Sequence, residues 1–161
     1  MISVNERHKR AALEMIPYGL YVVGVGRGQD AGAYTANWVC QASFVPPLLM
    51  LGVKVSARPR KLIESERVLT VNFLGEGQKK IAASFIKWHG PKGETLAGHP
   101  FVTGVTGAPI LADAPAYVEC EVRQIVTAGD HDVVLAEVVE AGVRRASEPL
   151  MMSNTGWSYG G

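Results

Sequence analysis

Cysteine is scarce in this chain: Cys40 and Cys120 are the only two, far apart, with no CxxC pair and no histidine at ligand spacing. A disulfide framework and a structural zinc site are therefore without support, and both thiols are expected to be reduced and buried. Charge of one sign is missing too, since 16 Lys+Arg against 15 Asp+Glu leave a formal net charge of +1. Nucleic acid and anionic lipid both call for a basic footprint, so neither is expected as a partner. No run approaches the roughly 20 apolar residues of a spanning helix. The opening stretch MISVNERHKRAALEM carries charges where a signal peptide needs its apolar core. A cytoplasmic protein without membrane contact is the expectation. Internal repeats and linkers are also lacking, as is any catalytic triad or carboxylate pair of the kind that hydrolysis uses.

What is present is the composition of an ordinary folded globule: 161 residues, 47% hydrophobic and 19% charged, enough for one domain spanning residues 1–161. Val4–Met15 has a helical spacing, with Ala11, Ala12, Met15 and Ile16 on one face, and Pro17 stops it. Tyr18–Val25, Leu48–Val55 and Val68–Leu74 are short apolar runs of β formers, the pattern of buried strands. Ser56 is placed to cap a helix over Ala57–Glu66, with Pro59 tolerated in its first turn, and Gln78–Phe85 predicts a second short helix. From Ile86 to Ala108 the chain is rich in glycine and weak in periodicity, so a long loop is expected. Ala114–Ala128 and Asp132–Gly142 alternate polar and apolar residues around the turn Gly129-Asp130-His131, predicting two long antiparallel strands with one wet face.

Strands outnumber helices and meet through short turns. The expected fold is mainly β, an antiparallel barrel with a few peripheral helices, because closure removes edges that an open sheet would expose. The glycines of Gly24-Val25-Gly26-Arg27-Gly28 lead into another strand rather than a helix, so they predict a hairpin turn and not a dinucleotide fingerprint. Between that turn and Pro46-Pro47 lies Ala33–Pro47, AYTANWVCQASFVPP. Prolines cannot continue a central strand. Thr, Asn, Trp, Gln and Ser among small residues mark a strand that lines a ligand, since polar groups buried without partners cost about 1–3 kcal/mol each.

TANWVCQASFVPPLLMLGVKVSARPRKLI, followed by VLTVNFL and later by GDHDVVLAEV, resembles the flavin reductase family of split-barrel FMN-binding proteins, and the likeness runs from about Tyr18 to Gly142. QASFVPP and TGAPILADAPAYVEC are similar to the reductase domain of diflavin flavoproteins. The resemblance implies a split β-barrel of Greek-key type with FMN as cofactor. It assigns Thr35, Ala36, Asn37 and Trp38 to the flavin, with Ser43 and Asn72 on neighbouring strands. It places the phosphate at Ser56, where a helix N-terminus attracts anions, with Arg58 and Lys54 as added cations. Pro59 departs from the Thr that many relatives carry and removes a hydroxyl and an N–H from that turn.

His131, in the Gly-Asp-His turn, is implied to place the nicotinamide of NAD(P)H against the flavin. His89 and His99 share the long loop at no ligand spacing and are assigned no metal. The implied reaction is hydride transfer from NAD(P)H to flavin, with oxygen, free flavin or a redox partner protein taking the electrons. A different reading is an FMN-binding electron-transfer protein reduced by a partner rather than by NAD(P)H. The resemblance also implies a homodimer, and the N-terminal segment and the aromatic tail with Trp157 and Tyr159 are candidates for that contact.

Overall fold

Successive side chains of a strand point to opposite faces, so a strand apolar at every position has to be covered on both. Tyr21–Val25 (β1) meets that condition. Val23 and Val25 enter one cluster with Leu51, Val53, Leu69, Val71 and Val134, whereas Val22 faces a second one with Phe85, Leu96, Leu111 and Leu150. The computed structural model that shows this describes residues 3–161.

After an exposed helix, Glu6–Leu13 (α1), and β1, the chain runs through β2 (Gly32–Ala36), β3 (Val39–Ser43), β4 (Leu48–Lys54), helix α2 (Arg58–Glu66), β5 (Val68–Phe73) and helix α3 (Lys79–Ser84). Four short strands follow: β6 (Pro91–Lys92), β7 (Thr95–Leu96), β8 (His99–Thr103) and β9 (Pro109–Leu111). The long pair β10 (Ala116–Thr127) and β11 (His131–Val143) completes the order. Seven strands form one sheet in the order β2-β1-β5-β10-β11-β4-β3, with every pair antiparallel. Its two outer strands, β2 and β3, are consecutive in the chain and separated by Asn37 and Trp38 alone. The Gly52 N–H donates to the Trp38 carbonyl at 2.9 Å. The stretch Ala33–Pro47 is thus two strands rather than one, and its break links the two edge strands of the sheet through the chain itself.

The region expected as a loop, Ile86 to Ala108, carries β6, β7 and β8, which with β9 make a four-stranded meander. Its strands are two to five residues long, too short to print an alternation on the sequence. The buried Glu119 carboxylate holds the following turn by accepting from the Val105 N–H at 3.2 Å and from the Thr106 N–H and hydroxyl at 2.9 Å each. Gly24 allows β9 to cross β1 closely, for a Cβ there would stand 2.2 Å from the Pro109 carbonyl oxygen. That oxygen also accepts the Thr70 hydroxyl.

The helices differ from expectation at their ends. α1 is shorter than Val4–Met15, is capped by the Asn5 side chain on the His8 N–H, and buries none of its residues. α2 has Ala57, not Ser56, at its N-cap and no side-chain cap bond. Pro59, its second residue, has no N–H for a cap to receive. Ile63 of α2 is fully buried in the barrel core. Of the thiols, Cys120 is buried and Cys40 is exposed, because β3 is an edge strand. Burial pushes the Cys120 thiol up to about 12.

Candidate functional site

The junction between β2 and β3 is where the polar residues of the central stretch collect. The Thr35 hydroxyl donates to the Ala82 carbonyl at 2.6 Å, and the Thr35 N–H donates to the Phe85 carbonyl at 2.8 Å. These bonds tie the end of α3 to β2 and bring Ile86 beside the junction. Asn37 is buried, and its Nδ2 donates to the Met152 sulfur at 3.2 Å and to the Tyr159 carbonyl at 3.1 Å. Thr35, Ala36 and Asn37 line a cavity of about 400 Å³ together with Leu20, Ile86 and Met152, and Trp157, Ser158 and Tyr159 close it. A volume of that size falls within the range of small-molecule sites, and a mostly apolar wall with a few convergent polar groups is their usual make-up.

Trp38 stands at the edge of this cavity with its ring 4.6 Å from the His131 ring and 5.3 Å from that of Tyr159, centroid to centroid. A Cβ at Gly52 would collide with the Trp38 ring at 2.8 Å, so the indole lies directly on the β4 backbone. Its Nε1 is buried with no partner, a donor awaiting an acceptor. His131 Nδ1 lies 2.9 Å from the Asp130 carboxylate and Nε2 lies 2.8 Å from the Tyr159 hydroxyl. With Asp130 as acceptor, Nδ1 is the protonated nitrogen and Nε2 accepts from tyrosine. The His131 hydrogen bond and the imidazole hold the Asp130 carboxyl below the usual carboxylate range. Burial and the Asp130 charge together raise the Tyr159 phenol.

The other expected residues lie farther apart. Lys54 pairs across the sheet with His131 and is exposed at the end of β4. Ser56 and Arg58 are exposed at the start of α2, and the Arg58 guanidinium lies 5.6 Å over the Trp88 ring, which packs against Gly32. The donors of that first turn are partly spent: the Ala57 N–H goes to Lys54 and the Arg60 N–H to Ala57. Ser43 sits on β3 beyond a register shift, away from the cavity wall.

Asn72 is a correction. It is fully buried, donates to the Val22 carbonyl and the Thr70 hydroxyl oxygen, and accepts from the Leu111 N–H. Its Nδ2 is spent on β1 and β5 and its Oδ1 on β9, and it does not line the cavity. Leu20, Ile86, Met152 and Ser158 escaped notice because isolated apolar or small residues leave no pattern. Trp157 and Tyr159, expected at a subunit contact, fold back onto their own chain.

This geometry has a family. The model described as "Flavin reductase like domain" matches residues 13–160. The chain belongs to the flavin reductase family. It is similar to the FMN reductase (NADH) RutF of Pseudomonas syringae pv. syringae, with 34% identity over 126 residues covering 78% of this chain and 70% of the relative. It is also similar to diflavin flavoprotein A 1 of Synechocystis sp., with 35% identity over 136 residues, 84% of this chain but only 24% of that longer protein. The chain thus spans about a quarter of the length of the diflavin flavoproteins that it matches. Among solved structures, the NADH:FAD oxidoreductase SgcE6 of Streptomyces globisporus superposes with a TM-score of 0.80 at 30% identity, covering 94% of this chain and 90% of the other. The flavin reductase fold is the split barrel described above. Among the described residues no helix is long and apolar enough to cross a membrane.

Proposed function

We propose that this flavin reductase family member binds FMN at the β2–β3 junction and uses NADH to reduce it. The observation that carries the reading is the 400 Å³ cavity walled by Thr35, Ala36 and Asn37, the residues that the sequence resemblance assigns to flavin. Relatives named for NADH-dependent flavin reduction favour NADH over NADPH. The residues present suit an FMN. Small side chains at Ala36 and Ser158 leave room for a flat ring, the Thr35 oxygen retains acceptor capacity, and the buried Trp38 Nε1 lacks a partner. Lys54, Ser56 and Arg58 form the exposed, partly cationic turn that would hold the phosphate.

When bound, FMN supplies a hydride acceptor at its N5 atom. The chain's own contribution is positional, since two rings held in near-attack geometry need no side chain to act as nucleophile. His131 and Trp38 present adjoining ring faces at the cavity edge, a surface against which a nicotinamide would stack. Asp130 fixes the imidazole's tautomer and direction. Oxygen, free flavin or a redox partner protein would take the electrons. A homodimer acting in the cytoplasm is part of the same reading, and Phe44 and Val45, 86% and 91% exposed at the tip between β3 and β4, suit a subunit contact.

The deciding experiment is an anaerobic titration of the FMN-loaded protein with NADH and then NADPH, following the oxidised-flavin absorption band. Rapid bleaching by NADH is the expected result. Binding without bleaching would transfer the assignment to an electron carrier reduced by a partner, and absence of FMN binding would remove the flavin reading.

A further inference from the structure

We infer that Tyr159 controls flavin exchange by holding the segment Trp157–Gly161 as a gate across the cavity, an inference that rests on the FMN reading above. Three contacts converge on this residue. Its carbonyl accepts from Asn37 Nδ2 at 3.1 Å, its hydroxyl donates to His131 Nε2 at 2.8 Å, and its ring packs on Trp38 at 5.3 Å. Asn37, Trp38 and His131 are the residues assigned to flavin and nicotinamide, so Tyr159 is fastened to the site itself, while Trp157 at the base of the segment packs against the second core cluster.

Tyr159 is nevertheless 48% exposed, which is unlike a side chain placed for stability. The segment borders two hollows: Trp157, Ser158 and Tyr159 line both the 400 Å³ cavity and a second hollow of about 590 Å³ that Met15, Ile16 and Tyr18 also border. Space into which it can swing is therefore already present. Gly156 at φ +77° and Gly160 at φ +144° bracket its Trp157–Tyr159 stretch, and such positions allow backbone rotation at little steric cost. Upstream, the Lys79 ammonium fixes the base of the segment by donating to the Thr155 carbonyl at 2.7 Å and lying 5.3 Å from the Trp157 ring centre. A fixed base, glycine on either side and a polar latch at the tip make a gate.

A gate has a kinetic signature that a flavin-contacting residue lacks. The closed arrangement has to open before a ring enters and again before it leaves, so weakening the latch raises both rates together. The test is stopped-flow flavin fluorescence on the full chain, giving FMN association and dissociation rates for wild type, Tyr159→Phe and Tyr159→Ala. Loss of the single hydroxyl in Tyr159→Phe is expected to raise both rates about two- to tenfold. Tyr159→Ala, which also loses the ring on Trp38, is expected to raise both by more than about tenfold. The thermal midpoint without FMN should fall by only a few degrees in both variants, because only the contacts of the latch are lost.

Faster dissociation with unchanged association would make Tyr159 an ordinary contact and overturn the gate, as would unchanged rates in both variants or slower association. A wild type that takes up no FMN would instead overturn the flavin reading, and the gate with it.

Discussion

Removing the arginine of the buried ion pair between Arg60 and Asp132 should be among the most damaging single changes outside the cavity. Asp132 immediately follows His131 at the start of β11, and its side chain is 1% exposed. Arg60 Nε donates to one carboxylate oxygen from α2, while the other oxygen, Oδ1, is buried without a partner. Arg60 is itself 13% exposed and also reaches Glu64 on the surface at 3.0 Å. Arg60→Met keeps the packing volume but leaves a buried carboxylate uncompensated, a loss of about 3–5 kcal/mol. The one bond to Asp132 and the partial exposure of Arg60 place the expectation near about 3 kcal/mol. At a urea slope of about 2 kcal/mol/M for a chain of this size, the unfolding midpoint should fall by about 1.5 M.

The double variant Arg60→Met with Asp132→Leu removes the stranded charge and should recover most of that loss. Equilibrium urea unfolding followed by tryptophan fluorescence measures both. A single variant losing less than about 1 kcal/mol, or a double variant no better than the single, would refute the argument that the carboxylate depends on Arg60. Because the pair fixes the strand that begins at His131, Arg60→Met should also raise the KM for NADH.

His131→Ala should raise the KM for NADH more than it weakens FMN, because it removes a ring from the cavity edge, and steady-state kinetics beside FMN titration separate the two effects. Asn37→Leu strips the cavity of its buried amide and should weaken FMN by about tenfold or more, as read by fluorescence titration; unchanged affinity would count against the β2–β3 junction. Gly24→Ala forces a Cβ to 2.2 Å from the Pro109 carbonyl oxygen and should lower stability by several kcal/mol, on the order of other overpacked sites, as measured by urea unfolding. Exposed Cys40 should react quickly with a thiol reagent and buried Cys120 only on unfolding. The folded pKa of Cys120 is raised from 9.0 to about 12, so its contribution to stability is fully present below about pH 9 and lost as the pH climbs toward 12. A Cys120→Ser variant should lack that alkaline component.

The barrel was legible in the sequence because its strands meet local rules. The apolar runs at β1, β4 and β5 mark strands covered on both faces, and the alternation through β10 and β11 marks a sheet with one wet face. Each is a pattern that neighbouring residues impose on one another, with the turn Gly129-Asp130-His131 set between the last two. The resemblance carried by TANW and GDH, together with these patterns, placed Asn37, Trp38 and His131 in one candidate site, and the structure brings all three to the cavity or its edge.

Other features depend on contacts between residues remote in the chain. The strands β6 to β8 are held by pairing and by the Glu119 carboxylate reaching Val105 and Thr106, so no periodicity announces them. Asn72 carries the same amide as Asn37. Only the crossing of β9 decides that one amide is spent on the Leu111 N–H and the other faces the cavity. The break at Asn37-Trp38 carries the chain from one edge strand of the seven-stranded sheet to the other, a passage that only the strand order reveals. Tyr159 bonds to Asn37 across most of the sequence and to His131 across 28 positions, where loop closure has already been achieved by the barrel. Local sequence determined which segments become strands and which residue types the site could draw on; tertiary packing decided which polar groups are consumed in the core and which remain to meet a ligand.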